Sequence, residues 1–138
     1  MKLIPYLNFQ GDCEEALNAY KKIFSGKVEI VNRYDNPAMN VPEEYKNKIL
    51  HARLYADGFE IYASDVMPGK ERTDKTASRA SMSLDIENPE KAKQIFDQLA
   101  EGAKVNVPFE KQFWGDWHGN LVDRYGISWM VNCTAVPK

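Results

Sequence analysis

The sequence predicts an α+β fold made of two βαβββ modules, and three observations carry that prediction. Two amphipathic helical segments match along their length, Asp12 with Asn88, Ala16 with Ala92, Tyr20 with Phe96 and Ile23 with Leu99. Each follows one extended segment and precedes three more. The chain has 138 residues, 43% hydrophobic and 28% charged, which suits one domain better than two independent ones. The expected plan is a single domain over residues 1–138. Module 1 runs to about residue 66, a charged linker covers about 67–79, and module 2 begins at about 80.

Taken in order, "KLIPYLNF" is the first strand. "GDCEEALNAYKKIFSG" is the first helix, with Cys13, Ala16, Leu17, Tyr20 and Phe24 on one stripe. Asp12 is placed to cap it, Glu15 follows at capping-box spacing, and Gly26 ends it. "KVEIVNRY", "KILHARLYADG" and "FEIYASD" complete module 1, the last two joined by an Asp-Gly hairpin turn. "ASMSLDI" opens module 2. In "ENPEKAKQIFDQLAEG", Asn88 is the cap and Pro89 takes the first helical position, where a missing N–H costs nothing. Ala92, Ile95, Phe96 and Leu99 form its stripe, and Gly102 ends it. "KVNVPFE", "GNLVDRYG" and "ISWMVNC" are the remaining strands.

Alternation assigns faces. Leu50, Ala52, Leu54 and Ala56 oppose His51, Arg53 and Tyr55. Met82, Leu84 and Ile86 oppose Ser81, Ser83 and Asp85. Leu3, Leu7 and Phe9 oppose Tyr6 and Asn8. The apolar faces are expected to meet the helices. The opposite faces mix polar groups with Tyr6, Tyr55, Tyr62 and Met130. A sheet curved around a ligand reads this way, and so does a sheet facing solvent.

Composition narrows the function classes. Net charge is −2, from 18 basic and 20 acidic residues, with no basic stripe to hold nucleic acid. The densest basic stretch, "GKERTDKTASR", carries its own Glu71 and Asp74 and reads as a solvated linker. No apolar run nears the ~20 residues of a membrane helix. "MKLIPYLNFQGD" lacks the apolar length and cleavage site of a signal peptide, so a cytoplasmic protein is expected. Cys13 and Cys133 make neither a disulfide framework nor a zinc spacing. Cys13 falls in a first helical turn, where a thiol pKa can drop; otherwise both are inert, partly buried thiols. "KQFWGDWHGNLVDRYG" crowds Trp114, Trp117 and His118 among three glycines. Gly115 and Gly119 there allow a tight turn or close backbone approach, and Asp123 to Gly126 is a turn. Trp114 is read as core, pocket wall or ligand contact, and Trp117 as ligand surface or hairpin packing.

The duplicated βαβββ unit resembles the vicinal oxygen chelate superfamily, which holds glyoxalase I, extradiol dioxygenases and bleomycin-resistance proteins. "PYLNFQGDCEEALNAYKKIF", "HARLYADGFEIYASD" and "FWGDWHGNLVDRYGISW", in that order, resemble its PhnB-like branch. One departure is Arg124, where the branch usually has proline. The resemblance implies curved mixed sheets around a cup, with the helices on the outer face. It also implies a homodimer, often with modules packed across chains. Metal-using members place His or Glu on the first and last strands of each module. Here those positions offer Pro5 or Tyr6, Ile61 or Tyr62, Ser81, and Met130, so no metal and no other cofactor is expected. A site rebuilt from His51, His118 and Glu60 is the alternative. The branch borrows one of its names from a ubiquinone-pathway methyltransferase, but the chain has no glycine motif for S-adenosylmethionine.

The candidate cup lining is Tyr6, Asn8, His51, Arg53, Tyr62, Ser81, Trp114 and Met130. An Arg53–His51 pair suits a ligand carboxylate or phosphate, unless Arg53 instead pairs with Glu60. The function expected is metal-free binding of a small molecule. The rivals are an enzyme using His51 or His118 as general acid–base, and a resistance protein that sequesters a drug.

Overall fold

The computed structural model describes residues 1–67 and 80–134. Two compact units divide between residues 75 and 76. The expected linker lies outside the described residues, apart from Met67. Unit 1 runs β1 (Tyr6–Phe9), α1 (Cys13–Phe24), β2 (Lys27–Arg33), β3 (Ile49–Ala56) and β4 (Phe59–Asp65). Unit 2 runs β5 (Met82–Asp85), α2 (Pro89–Leu99), β6 (Lys104–Lys111), β7 (Trp117–Val122) and β8 (Ser128–Cys133). The strand orders are β1-β4-β3-β2 and β5-β8-β7-β6. In each sheet the first and last strands of the module pair parallel, and the other pairs are antiparallel. The two modules therefore share one topology, as the internal match predicts.

Each helix lies on one face of its own sheet. In unit 1, Cys13, Ala16, Leu17 and Tyr20 bury against Phe9, Ala52, Leu54, Ile61 and Ala63. In unit 2, Ala92, Ile95, Phe96 and Leu99 bury with Leu121, Trp129, Val131 and Cys133. The period-two strands and 3.6-period helices thus present matching apolar surfaces, and burying these surfaces is the main term holding each module together. Asn88 caps α2 as expected, its Oδ1 accepting from the N–H groups of Glu90 at 2.9 Å and Lys91 at 3.1 Å.

Several local expectations fail for identifiable reasons. Asp12 does not cap α1. Its backbone (φ −111°, ψ 20°) is not the extended conformation that aims a cap side chain at the first turn. Asp65, at the end of β4, serves that turn instead (below). The left-handed residue after α1 is Ser25 (φ 52°), not Gly26. Gly26 is needed for close approach, since a Cβ there would lie 2.5 Å from the Tyr55 carbonyl oxygen. Leu3 precedes β1 and is exposed. In β3 the alternation slips at Leu50, because the β2–β3 register skips it, pairing Asn32 with His51 and Arg33 with Ile49. Ile49 is therefore buried and Leu50 only half-buried, as expected at a bulge.

An ion pair ties α1 to the edge strand. Arg33 donates from Nη1 and Nη2 to the two Glu14 carboxylate oxygens, both at 3.0 Å. That hydrogen-bonded pairing holds the Glu14 carboxyl below its usual range. A carboxyl depressed in the folded state adds stability above its unfolded pKa and loses it as pH falls through the folded pKa. Glu14 is partly exposed, so solvent screens the pair and the effect is small. Glu14→Gln is expected to cost less than ~1 kcal/mol at neutral pH. It should also make the acid limb of the stability curve shallower, which urea melts between neutral pH and pH ~3 would detect.

Candidate functional site

The helix-free face of the unit 1 sheet collects side chains from four strands. Tyr6 and Tyr62 are neighbours in the β1–β4 register, and Asn8 lies beside Ser64. Arg53 is the β3 partner of Tyr62 and faces Glu29 on β2. His51 joins these groups. Its Nδ1 lies 3.2 Å from the Tyr6 hydroxyl, and its Nε2 accepts from Arg53 Nε at 3.3 Å. A guanidinium can only donate, so Nε2 carries no proton and Nδ1 carries it. The Tyr6 ring stacks on His51 at 5.8 Å, and Tyr62 meets the imidazole edge-on at 5.3 Å. The Arg53 guanidinium lies over the Tyr62 ring, 4.9 Å from its centre. A hydrogen bond with the Tyr55 side chain, ahead of the fields of Tyr62, Tyr55 and Glu29, keeps Arg53 above the ordinary arginine range. Glu60 does not take Arg53 as its partner. It pairs with Lys2, while Arg53 makes a loose contact of 3.7 Å with Glu29.

The corresponding face of unit 2 is a hydrogen-bonded chain. Asn132 Nδ2 donates to Ser83 Oγ at 2.8 Å and to the Leu84 carbonyl at 3.4 Å. That fixes Asn132 Oδ1 as the acceptor facing His118 Nδ1, at 2.7 Å. His118 Nε2 then accepts from Asn120 Nδ2 at 3.1 Å. Met130 lies between Ser83 and Asn120 in the register. Ser81 precedes β5, and its hydroxyl reaches Ser128 at 2.7 Å.

The two histidines occupy equivalent places. Arg53 pairs with Tyr62 as Asn120 pairs with Met130, and each histidine precedes its Arg or Asn by two positions. In both, Nδ1 bonds across strands and Nε2 accepts from the residue two positions on. Sequence reasoning missed this equivalence and the roles of Asn120 and Asn132. The available signal was the shared His-x-x-Leu spacing of "HARL" and "HGNL". The helix alignment hid it because residues 34–48 join β2 to β3 whereas only 112–116 join β6 to β7.

The tryptophans do not behave alike. Trp114 is 55% exposed at the tip of the β6–β7 hairpin, edge-on to Phe113 at 4.8 Å, and is not core. A five-residue connection leaves it no sheet to pack under. Trp117 falls in step with buried Gly119 and Leu121 on the helix side, stacked on Phe109 at 5.7 Å. It therefore serves packing, not a ligand surface. Gly119 permits the close approach there: a Cβ would lie 2.8 Å from both the Phe109 Cα and the Phe96 ring. Gly115 has φ +100° and makes the hairpin tip. Cys13 is fully buried, and burial, reinforced by the Asp65 charge, pushes its thiol well above the ordinary range, opposite to the first-turn expectation.

Of the positions compared with metal ligands above, the register pairs Tyr6 with Tyr62, and it is Ser83, not the expected Ser81 that precedes β5, that pairs with Met130. Phenol, hydroxyl and thioether do not make a divalent-cation set. Both ring nitrogens of each histidine are already engaged, and among the described residues no three His, Cys, Asp or Glu side chains are grouped to hold a metal. The donor set does not fit the superfamily's metal.

A duplicated βαβββ fold with a helix-free, mixed-polarity face on each sheet defines a protein of the vicinal oxygen chelate superfamily. Within it, the chain belongs to the PhnB-like family described as 3-demethylubiquinone-9 3-methyltransferase, whose profile matches residues 1–132. The chain is 29% identical to protein YjdN of Escherichia coli over 142 residues, covering 96% of this chain and 95% of that one. Protein PA1353 from Pseudomonas aeruginosa has a similar structure, at TM-score 0.83 and 36% identity, covering 97% of this chain and 98% of its own. The PhnB protein from Bacillus cereus also superposes at TM-score 0.83, with 25% identity over 97% of this chain and 100% of its own. Among the described residues no helix is long and apolar enough to cross a membrane.

Proposed function

We propose that this chain is a metal-free binding protein for a small molecule, held on a helix-free sheet face. One observation carries the reading. The polar groups of the helix-free faces are fixed in hydrogen-bonded clusters, and both nitrogens of both histidines are engaged within them. In this arrangement the acceptor nitrogen of each histidine holds a neighbouring side chain, Arg53 in one module and Asn120 in the other. The clusters hold rigid donors, acceptors and aromatic rings in place, as a specific binding surface requires. Drug sequestration calls for an open aromatic groove. The unit 1 face carries a guanidinium and carboxylates among its tyrosines, which suits a small molecule with a charged group better. The methyltransferase description of the family finds no glycine motif for its methyl donor in this sequence.

Native mass spectrometry of protein purified gently from cells tests this reading. A co-purifying small molecule is expected, and Arg53→Ala should reduce its occupancy. Turnover of that molecule that His51→Ala or His118→Ala abolishes would overturn the reading in favour of the enzyme. Elemental analysis of untagged protein is expected to find no near-stoichiometric zinc, nickel, manganese or iron, and finding any of these contradicts metal-free binding.

We further propose that the chain works as a cytoplasmic homodimer. The exposed Phe113–Trp114 pair and the family resemblance support the self-association. A standard interface would bury ~1,600 Å² in total. Sedimentation at micromolar concentration should show a dimer, and a lone 15.8-kDa species rejects it.

A further inference from the structure

We infer that the helix-free face of unit 1 recognises a carboxylate carried on a flat apolar body. Arg53 takes the carboxylate, and the Tyr6 and Tyr62 rings take the body. The inference rests on the reading of this face as a ligand surface and names what that surface selects.

Arg53 is positioned but not saturated. Of its five N–H donors, the one at Nε goes to His51 and another is taken by the Tyr55 side chain, which leaves donors for a ligand, and the Tyr62 ring supports the guanidinium plane. Its contact with the Glu29 carboxylate is 3.7 Å long, and the Glu29 side chain is half-exposed. Such a pair is weak in water. A ligand carboxylate that accepts two parallel N–H bonds matches the planar fork better than Glu29 does. His51 acts as a positioning residue: its acceptor nitrogen fixes one edge of the guanidinium, and its ring carries Tyr6. Tyr6 is 47% exposed, leaving apolar ring surface open beside the charge. Tyr62 lies next to it in register, so aromatic area flanks the cation. A guanidinium alone would also accept a phosphoryl group. The planar fork beside aromatic rings favours the planar anion.

Benzoate tests this on the full chain, with benzamide as its uncharged analogue and phenylphosphonate as the tetrahedral anion. Chemical-shift titration should move the signals of Tyr6, His51 and Arg53 Nε with benzoate, at a Kd on the order of 1 mM for so small a probe. Benzamide should bind at least about tenfold more weakly, because a neutral acceptor loses the charge-assisted pair. Arg53→Gln should weaken benzoate by about tenfold and leave benzamide unchanged, with Arg53→Lys between, since lysine lacks the fork. Glu29→Gln removes the competing carboxylate and should tighten benzoate by about two- to threefold, a gain that no merely structural role for Arg53 would produce. Equal binding of benzamide and benzoate at these residues, unaffected by Arg53→Gln, overturns the anion assignment while leaving the face a binding surface. Tighter binding of phenylphosphonate overturns the carboxylate. Benzoate shifts confined to other residues overturn the inference even where a co-purified ligand remains bound.

Discussion

Asp65→Ala is expected to destabilise the protein by ~3–5 kcal/mol, a large share of a small domain's stability. Asp65 is 1% exposed and sits where β4 ends. Its Oδ1 accepts the backbone N–H of Gly11 at 2.8 Å and of Cys13 at 2.9 Å, and its Oδ2 accepts that of Ile49 at 2.9 Å. One side chain thus joins the start of α1, the start of β3 and the end of β4. Its own carbonyl accepts the Tyr34 hydroxyl at 2.7 Å. The buried charge is compensated by these oriented donors at a helix N-terminus rather than by a cation. Truncation leaves three N–H groups without partners, two of them deeply buried, at ~1–3 kcal/mol each less what water recovers. Asp65→Asn keeps the shape but turns an amide donor toward N–H groups that also donate, so it should recover only part of the loss. Urea melts measure this as a lower midpoint at unchanged slope. A loss below ~1 kcal/mol would mean that the three bonds are replaceable and that α1 is anchored by packing alone.

The second large effect separates the two faces of β3. Leu54→Ala is expected to cost ~2–5 kcal/mol, as a buried side chain truncated beneath a helix. His51→Ala should stay within ~1 kcal/mol, since the ring lies half-exposed on the opposite face and its hydrogen bonds are long. Leu54 is 0% exposed, as is its same-face neighbour Ala52. Denaturant melts of the two variants decide the matter. If His51→Ala proves the more damaging, the histidine cluster is a structural keystone and its reading as a ligand surface fails.

Face assignment was legible in the sequence because period-two alternation is a direct consequence of strand geometry, and Ala52, Leu54, Ile61 and Ala63 obey it. The helices were legible from their stripes and, for α2, from its cap. What local pattern could not reveal was partnership across the fold. The donors that α1 needs answered to Asp65 in a distant strand, and a capping-box spacing at Asp12 cannot compete once the backbone there is not extended. Trp114 resembled core by composition, but its place in a hairpin tip depends on where β6 stops. The equivalence of His51 and His118 depends on strand register, which unequal connections conceal from a single fixed offset. Of the candidate residues, Tyr6, His51, Arg53 and Tyr62 come together as one cluster. Asn8 lies on the same face beside Ser64, and Met130 on the unit 2 face between Ser83 and Asn120. Ser81 and Trp114 fall outside the strands.

The most direct measurement of the binding claim is a crystal structure of protein taken from cell lysate without exchange of small molecules. Density for a bound compound is expected on the helix-free face of unit 1, within hydrogen-bonding distance of Arg53 and against the rings of Tyr6 and Tyr62. A compound held instead at the Phe113–Trp114 tip, with only water over Arg53 and the tyrosines, would contradict the claim.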